Sequence, residues 1–169
     1  MQVISLATTL ILAYMVQVNV FGSVPSLKAL GLALLFTPLA ILVPYLTNLE
    51  GERVSYKPPE NFVPEKLWLR ILLFIILAPI SEEILYRGLL EGYLILHTSS
   101  LIAILVPAVL FSIIHYAPFK NAPKNVIISI LLSSLILGII AGWLRAYSNS
   151  IIPAIIVHGE FNIIGVRKG

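Results

Sequence analysis

Two stretches near the start of the chain, Val3 to Phe21 and Ala29 to Leu49, contain no charged side chain, and the first runs for nineteen residues. A helix needs about 20 apolar residues to cross the hydrocarbon core of a bilayer. Lipid offers no water to the backbone, so the N–H and C=O groups of such a run must be satisfied within the segment, and a helix does this. Four more apolar runs follow: Leu67 towards Leu96, Ser99 to Tyr116, Asn125 to Leu144 and Ile151 to Val166. The expected fold class is therefore all-α, a polytopic membrane helix bundle of about six transmembrane helices in one domain over residues 1–169.

The breaks between runs support this division. Phe21-Gly22-Ser23-Val24-Pro25 closes the first helix. Pro38 and Pro44 fall inside the second, where neighbouring helices can re-satisfy the carbonyls they free. Glu50 to Lys66, with Pro58-Pro59 and Pro64, is the one long polar connector. Lys66, Trp68 and Arg70 at the start of the third helix, and Trp143, Arg145 and Tyr147 at the end of the fifth, read as interfacial anchors. Pro79 is expected to kink helix three just before Glu82. Met1-Gln2 is no positively charged leader and no small-residue cleavage site follows, so the first run is expected to be retained as a span.

With 59% hydrophobic and 11% charged residues and a mean hydropathy of +0.99, the chain is far from the roughly 25% charged residues of soluble domains. It has no cysteine, which excludes disulfides, thiolate metal sites and a Cys nucleophile. Its net charge of +3 comes from basic residues scattered singly or in pairs, with no basic stripe, so no nucleic-acid partner is expected. Membrane orientation explains them better. With six spans, the loops on the amino-terminal side hold Arg53, Lys57, Lys66, Arg70, Lys120, Lys124, Arg167 and Lys168, against Lys28 and Arg145 opposite. The positive-inside rule then places both termini in the cytoplasm.

One stretch breaks the apolar pattern: Pro79-Ile80-Ser81-Glu82-Glu83-Ile84-Leu85-Tyr86-Arg87-Gly88. A charge at the centre of a spanning helix costs about 2.5–3.5 kcal/mol on insertion scales, so three together must be held by partners or water. Glu83 and Arg87 are four apart and can neutralise each other. Glu82 lies about 100° round the helix from Glu83, on the face of Tyr86, and so looks to other helices for its partner. The candidates there are His115, His158, Glu160 and Asn162. His158 and Asn162, four apart, share a face, whereas Glu160 points elsewhere and is given no role. His97 is read as a solvated histidine at a helix end.

A carboxylate and an imidazole meeting in a poorly hydrated site make a general-base pair for water. A second histidine and an amide on one face can donate to the oxyanion that forms when water attacks a carbonyl. Each element has a plainer reading. A buried Glu–Arg pair can merely lock a bundle, His115 can be a satisfied core residue, and an intramembrane Asn can make an interhelical hydrogen bond worth about 0.6 kcal/mol.

The set resembles the family of CAAX prenyl endopeptidases and bacteriocin-processing intramembrane proteases, also called the Abi or type II CAAX protease family. Three motifs carry the resemblance: Glu82-Glu83-Ile84-Leu85-Tyr86-Arg87 followed by Gly88, then Phe111-Ser112-Ile113-Ile114-His115, then His158-Gly159-Glu160-Phe161-Asn162. They stand in family order on separate predicted helices and cover about residues 67–166. The resemblance implies that Glu82 and His115 activate water, that His158 and Asn162 stabilise the oxyanion, and that Glu83 and Arg87 support the site. It implies a protein or peptide substrate, prenylated or otherwise hydrophobic, in contact with membrane lipid. The mechanism is either glutamate-type, needing no cofactor, or dependent on a divalent metal such as zinc held by Glu82, His115 and His158. Two further readings of the residues stay open: a small transporter or proton or cation relay using the same groups, and a non-catalytic membrane scaffold.

Overall fold

In the computed structural model, which describes residues 2–57 and 63–167, the chain forms six helices. They are α1 (Gln2–Met15), α2 (Leu27–Arg53), α3 (residues 67–97), α4 (Ser100–Phe119), α5 (Lys124–Ser148) and α6 (Ile152–Arg167). Met1, the Pro58-Pro59 pair and Lys168 of the sequence reading lie outside the described residues, and of Arg167 only the backbone is described. Three helices, α2, α4 and α5, are long and apolar enough to cross a membrane by themselves.

Many interior positions are small residues packed around a few large ones such as Phe111 and Leu144, and the exterior is rich in large apolar side chains. Ala33, Ala40, Ala103, Ala108, Ala141 and Ala154 are fully buried, while Tyr14, Leu35, Ile113 and Ile114 are exposed. Lipid tails are as apolar as leucine, so helices gain from close packing rather than from hiding leucine, and small residues permit that approach. Gly138 shows how close it is: a Cβ there would lie 2.9 Å from the Cα of Ala108, where α5 crosses α4.

Helix ends differ from the sequence reading for identifiable reasons. The first helix, expected to reach Phe21, stops at Met15. Val18 N–H bonds back to the Ala13 carbonyl at 3.0 Å and Gln17 N–H to the Tyr14 carbonyl at 3.2 Å, with Gln17 at φ 56°. That is a Schellman closure with glutamine where glycine usually sits, so the sequence carries little sign of it. Helix α2 is broken at Phe36, just ahead of Thr37-Pro38, and continues through Pro44. Helix α4 runs unbroken through Pro107 but changes register at His115. Pro118 has no N–H to give the Ile114 carbonyl.

Helix α3 does not break at Pro79. It alternates α-helical and π-helical segments without interruption: Leu67–Arg70, then π over Ile71–Leu77, Ala78–Glu83, then π over Ile84–Glu91, and Gly92–His97. In the first π stretch the Ala78 N–H reaches the Leu73 carbonyl five residues back. The next bond in that register, to the Phe74 carbonyl, would come from Pro79, which has no N–H. The proline is thus accommodated by a change of ladder, with the helix continuous through it. Such widened turns occur often at functional sites.

Two of the expected interfacial anchors turn inward. Arg70 is buried and donates to the carbonyls of Pro64 at 2.6 Å, Glu65 at 2.9 Å and Val166 at 3.3 Å. It fastens the segment before α3 to the end of α6. Arg145 is buried and donates to Asn149 Oδ1 at 2.9 Å. Trp68 remains exposed, as an anchor should be.

Candidate active site

The charged run of α3 is packed against α4, α5 and α6, and its two carboxylates face different surroundings. Glu83 and Arg87 are both fully buried, with Arg87 Nε 3.2 Å from Glu83 Oε2 and Arg87 Nη1 donating to Glu83 Oε1 at 3.2 Å. Arg87 also donates through Nη2 to the Gly138 carbonyl of α5 at 2.9 Å. The glycine lets α5 come close enough to offer that backbone oxygen. The Glu82 side chain keeps 25% of its surface exposed.

His158 of α6 stands between the two carboxylates. Its Nδ1 is 2.7 Å from Glu83 Oε1 and its Nε2 is 3.7 Å from Glu82 Oε2. A carboxylate oxygen accepts, so Nδ1 carries the hydrogen and Nε2 faces Glu82. This is the carboxylate–imidazole arrangement that fixes ring orientation in many catalytic sites.

His115 reaches the cluster through Phe111. The ring of Phe111, itself fully buried, lies 4.6 Å from the His115 ring and 5.5 Å from that of His158, and stands edge-on to Tyr86 at 5.2 Å. The Arg87 guanidinium sits 4.9 Å from its centre. Phe111 is the common wall of the site, a role that its place four residues before His115 could have suggested. His115 Nδ1 donates to the Phe111 carbonyl at 2.7 Å. In a regular ladder that oxygen would receive the His115 backbone N–H, which has shifted to the Ser112 carbonyl at 3.1 Å. The imidazole takes the vacated acceptor, leaving Nε2 as the lone-pair nitrogen of the neutral ring.

Asn162 follows the same principle on the other side. Its Nδ2 donates at 2.8 Å to the Phe74 carbonyl, the group that Pro79 cannot serve. The close approach of α6 to α3 there is permitted by Gly159, where a Cβ would lie 3.3 Å from the Ile75 carbonyl. The direct contacts therefore join Glu82, Glu83, Arg87 and His158, Phe111 brings in His115, and Asn162 is held one turn along α6. Glu160 lies off the cluster and accepts from Thr37 Oγ1 of α2 at 2.9 Å. His97 is exposed, its ring against Tyr93 at 4.5 Å.

Glu91 is fully buried, with neither oxygen hydrogen-bonded among the described residues, and sequence reasoning missed it. It lies four residues after Arg87 and eight after Glu83. On a regular α-helix it would have drifted about 80° from Glu83, and the π-helical turns reduce that drift. The repeated four-residue spacing was the available signal.

Among the described residues no group of three or more His, Cys, Asp or Glu side chains is spaced to hold a metal ion. The Glu82, His115 and His158 set does not fit one as it stands, and no step below passes through a metal.

The fold and the cluster define an integral membrane protein with carboxylates and imidazoles gathered inside a helical bundle. The family is specific: the model for type II CAAX prenyl endopeptidase Rce1-like proteins matches residues 64–164, and the chain belongs to that family. It is accordingly a CAAX-type intramembrane endopeptidase, a peptide hydrolase. Comparisons with curated proteins and with solved structures each return no match.

Proposed function

We propose that the protein hydrolyses a peptide bond near the cytoplasmic face of the membrane, in a lipidated or otherwise hydrophobic protein tail, using water activated by Glu82 and His115. The observation that carries this reading is the opposite placement of adjacent carboxylates. Glu83 is consumed by Arg87 and His158, whereas Glu82 stays partly exposed beside His158 Nε2. Glu82 takes the proton of the attacking water, and His115 Nε2, freed by the bond from Nδ1 to Phe111, helps to orient that water. His158 and Asn162 stabilise the oxyanion. With Nδ1–H spent on Glu83, His158 donates through Nε2 only when both ring nitrogens carry hydrogen. Asn162 uses one amide hydrogen on Phe74 and has a second. Glu83 and Arg87 hold the ring of His158. The excess of Lys and Arg in the loops of the amino-terminal side supports cytoplasmic termini, with His115 near that end of α4.

The test is cleavage of a fluorogenic prenylated tail peptide by protein reconstituted in liposomes, with ion flux followed in parallel. The expected result is hydrolysis that falls at least about 10²-fold in His115→Ala with no flux. Flux abolished by the same substitution, with no hydrolysis of prenylated or unmodified hydrophobic peptides, would contradict the reading and indicate an ion relay.

A further inference from the structure

At the opposite end of the bundle from His115 lies a polar cavity of about 310 Å³, between the end of α1, the end of α3 and the end of α5. Gln17, Asn19, Gly92, Arg145 and Asn149 contribute to its lining, with Ile95 and Leu96 on the wall. Arg145 is only 5% exposed, and among the described residues its Nε has no hydrogen-bond partner and Asn149 is the one acceptor its side chain reaches. Among the described residues it makes no salt bridge, and Glu91 is not within ion-pair distance. A buried guanidinium with donors to spare, beside three primary amides, suits an anion with several acceptor oxygens.

The rim is fixed rather than loose. Gly22, at φ 71°, bridges to Ser150, and a Cβ on it would collide with the Asn149 carbonyl. Asn19 Oδ1 accepts from the backbone N–H groups of Phe21 and Gly22, at 3.2 and 3.1 Å, and its Nδ2 donates to the Gly22 carbonyl at 3.4 Å, which leaves one amide hydrogen for the cavity. The exposed Tyr93, Trp143 and Tyr147 near these helix ends form an aromatic band of the kind found at headgroup depth, and the exposed Ile95 and Leu96 continue the wall towards lipid.

We propose that this cavity binds a phosphate group, carried by a phospholipid headgroup, with Arg145 as its charged ligand and Gln17 and Asn19 as amide donors. The bound lipid would join the α1–α2 connection to the ends of α3 and α5, remote from the hydrolytic cluster. The site is independent of the reading of that cluster.

Native mass spectrometry of the intact protein, with phosphatidylglycerol, diacylglycerol of the same chains, or inorganic phosphate added, tests it. The wild type should retain one phosphatidylglycerol in preference to diacylglycerol. Arg145→Gln should weaken retention at least about 10-fold, the scale of a lost charge-assisted hydrogen bond, and Gln17→Leu should weaken it less. Gln17→Leu changes an exposed rim residue, so it decides the matter if Arg145→Gln does not fold. Displacement of the lipid by inorganic phosphate at similar concentration would show the same chemistry with a soluble source. Equal retention of diacylglycerol, or retention undiminished in both variants, would overturn the proposal.

Discussion

Glu83 accepts from Arg87 and His158 at once, with no exposed surface on either Glu83 or Arg87. Removing one member of a buried pair leaves the other charge uncompensated, which costs about 3–5 kcal/mol. Arg87→Ala should therefore lower stability by that amount in detergent unfolding, and should also reduce activity, because Glu83 would no longer be held against His158. Wild-type stability in Arg87→Ala would contradict the pairing. The split between Glu82 and Glu83 was legible on a helical wheel, since it needs only the 100° step between neighbours. The partnership of Glu83 with His158 was not, because the wheel gives a direction on one helix and says nothing of which helix lies there. Glu91 escaped for a related reason: its spacing from Arg87 is visible, but its burial depends on how α5 covers α3 at Gly142, where a Cβ would meet Glu91 Oε2 at 3.0 Å.

Two of the site's side chains, His115 and Asn162, hydrogen-bond to backbone carbonyls whose regular ladder partners have been displaced near proline. The prolines were plain in the sequence, whereas the π-helical register depends on neighbouring helices able to serve the freed carbonyls. Asn162→Ala should cost about 1–3 kcal/mol, the penalty of a buried group left unmade. In a Pro79→Ala background, where residue 79 has its own N–H to offer, the cost should shrink. A double-mutant cycle by thermal unfolding measures this coupling, and strict additivity would contradict the proline explanation. A second element-scale expectation concerns α4 and α5: Gly138→Ala places a methyl against the Ala108 backbone and should destabilise by about 1–3 kcal/mol through overpacking, read by the same unfolding assay. The inward turns of Arg70 and Arg145 were not legible, because a basic residue near a helix end has the same sequence signature whether it meets headgroups or caps a loop.

At the scale of the whole molecule, apolar runs and their breaks revealed the six helices, although their ends moved where closure used Gln17 or a proline-linked register change. The absence of native cysteine makes orientation directly testable. Single-cysteine variants Lys120→Cys and Val24→Cys should react with an impermeant maleimide from opposite sides, the first only when the cytoplasmic face is open. Labelling of both from one side would contradict a six-span path. The account turns on Glu82 as the base and Glu83 as its support, so the decisive measurement is the rate of prenylated-peptide cleavage by Glu82→Gln in a preparation whose unfolding temperature matches the wild type. Glutamine keeps the shape but cannot accept the proton, and the predicted result is a loss of at least about 10²-fold in rate; cleavage at the wild-type rate would contradict the assignment.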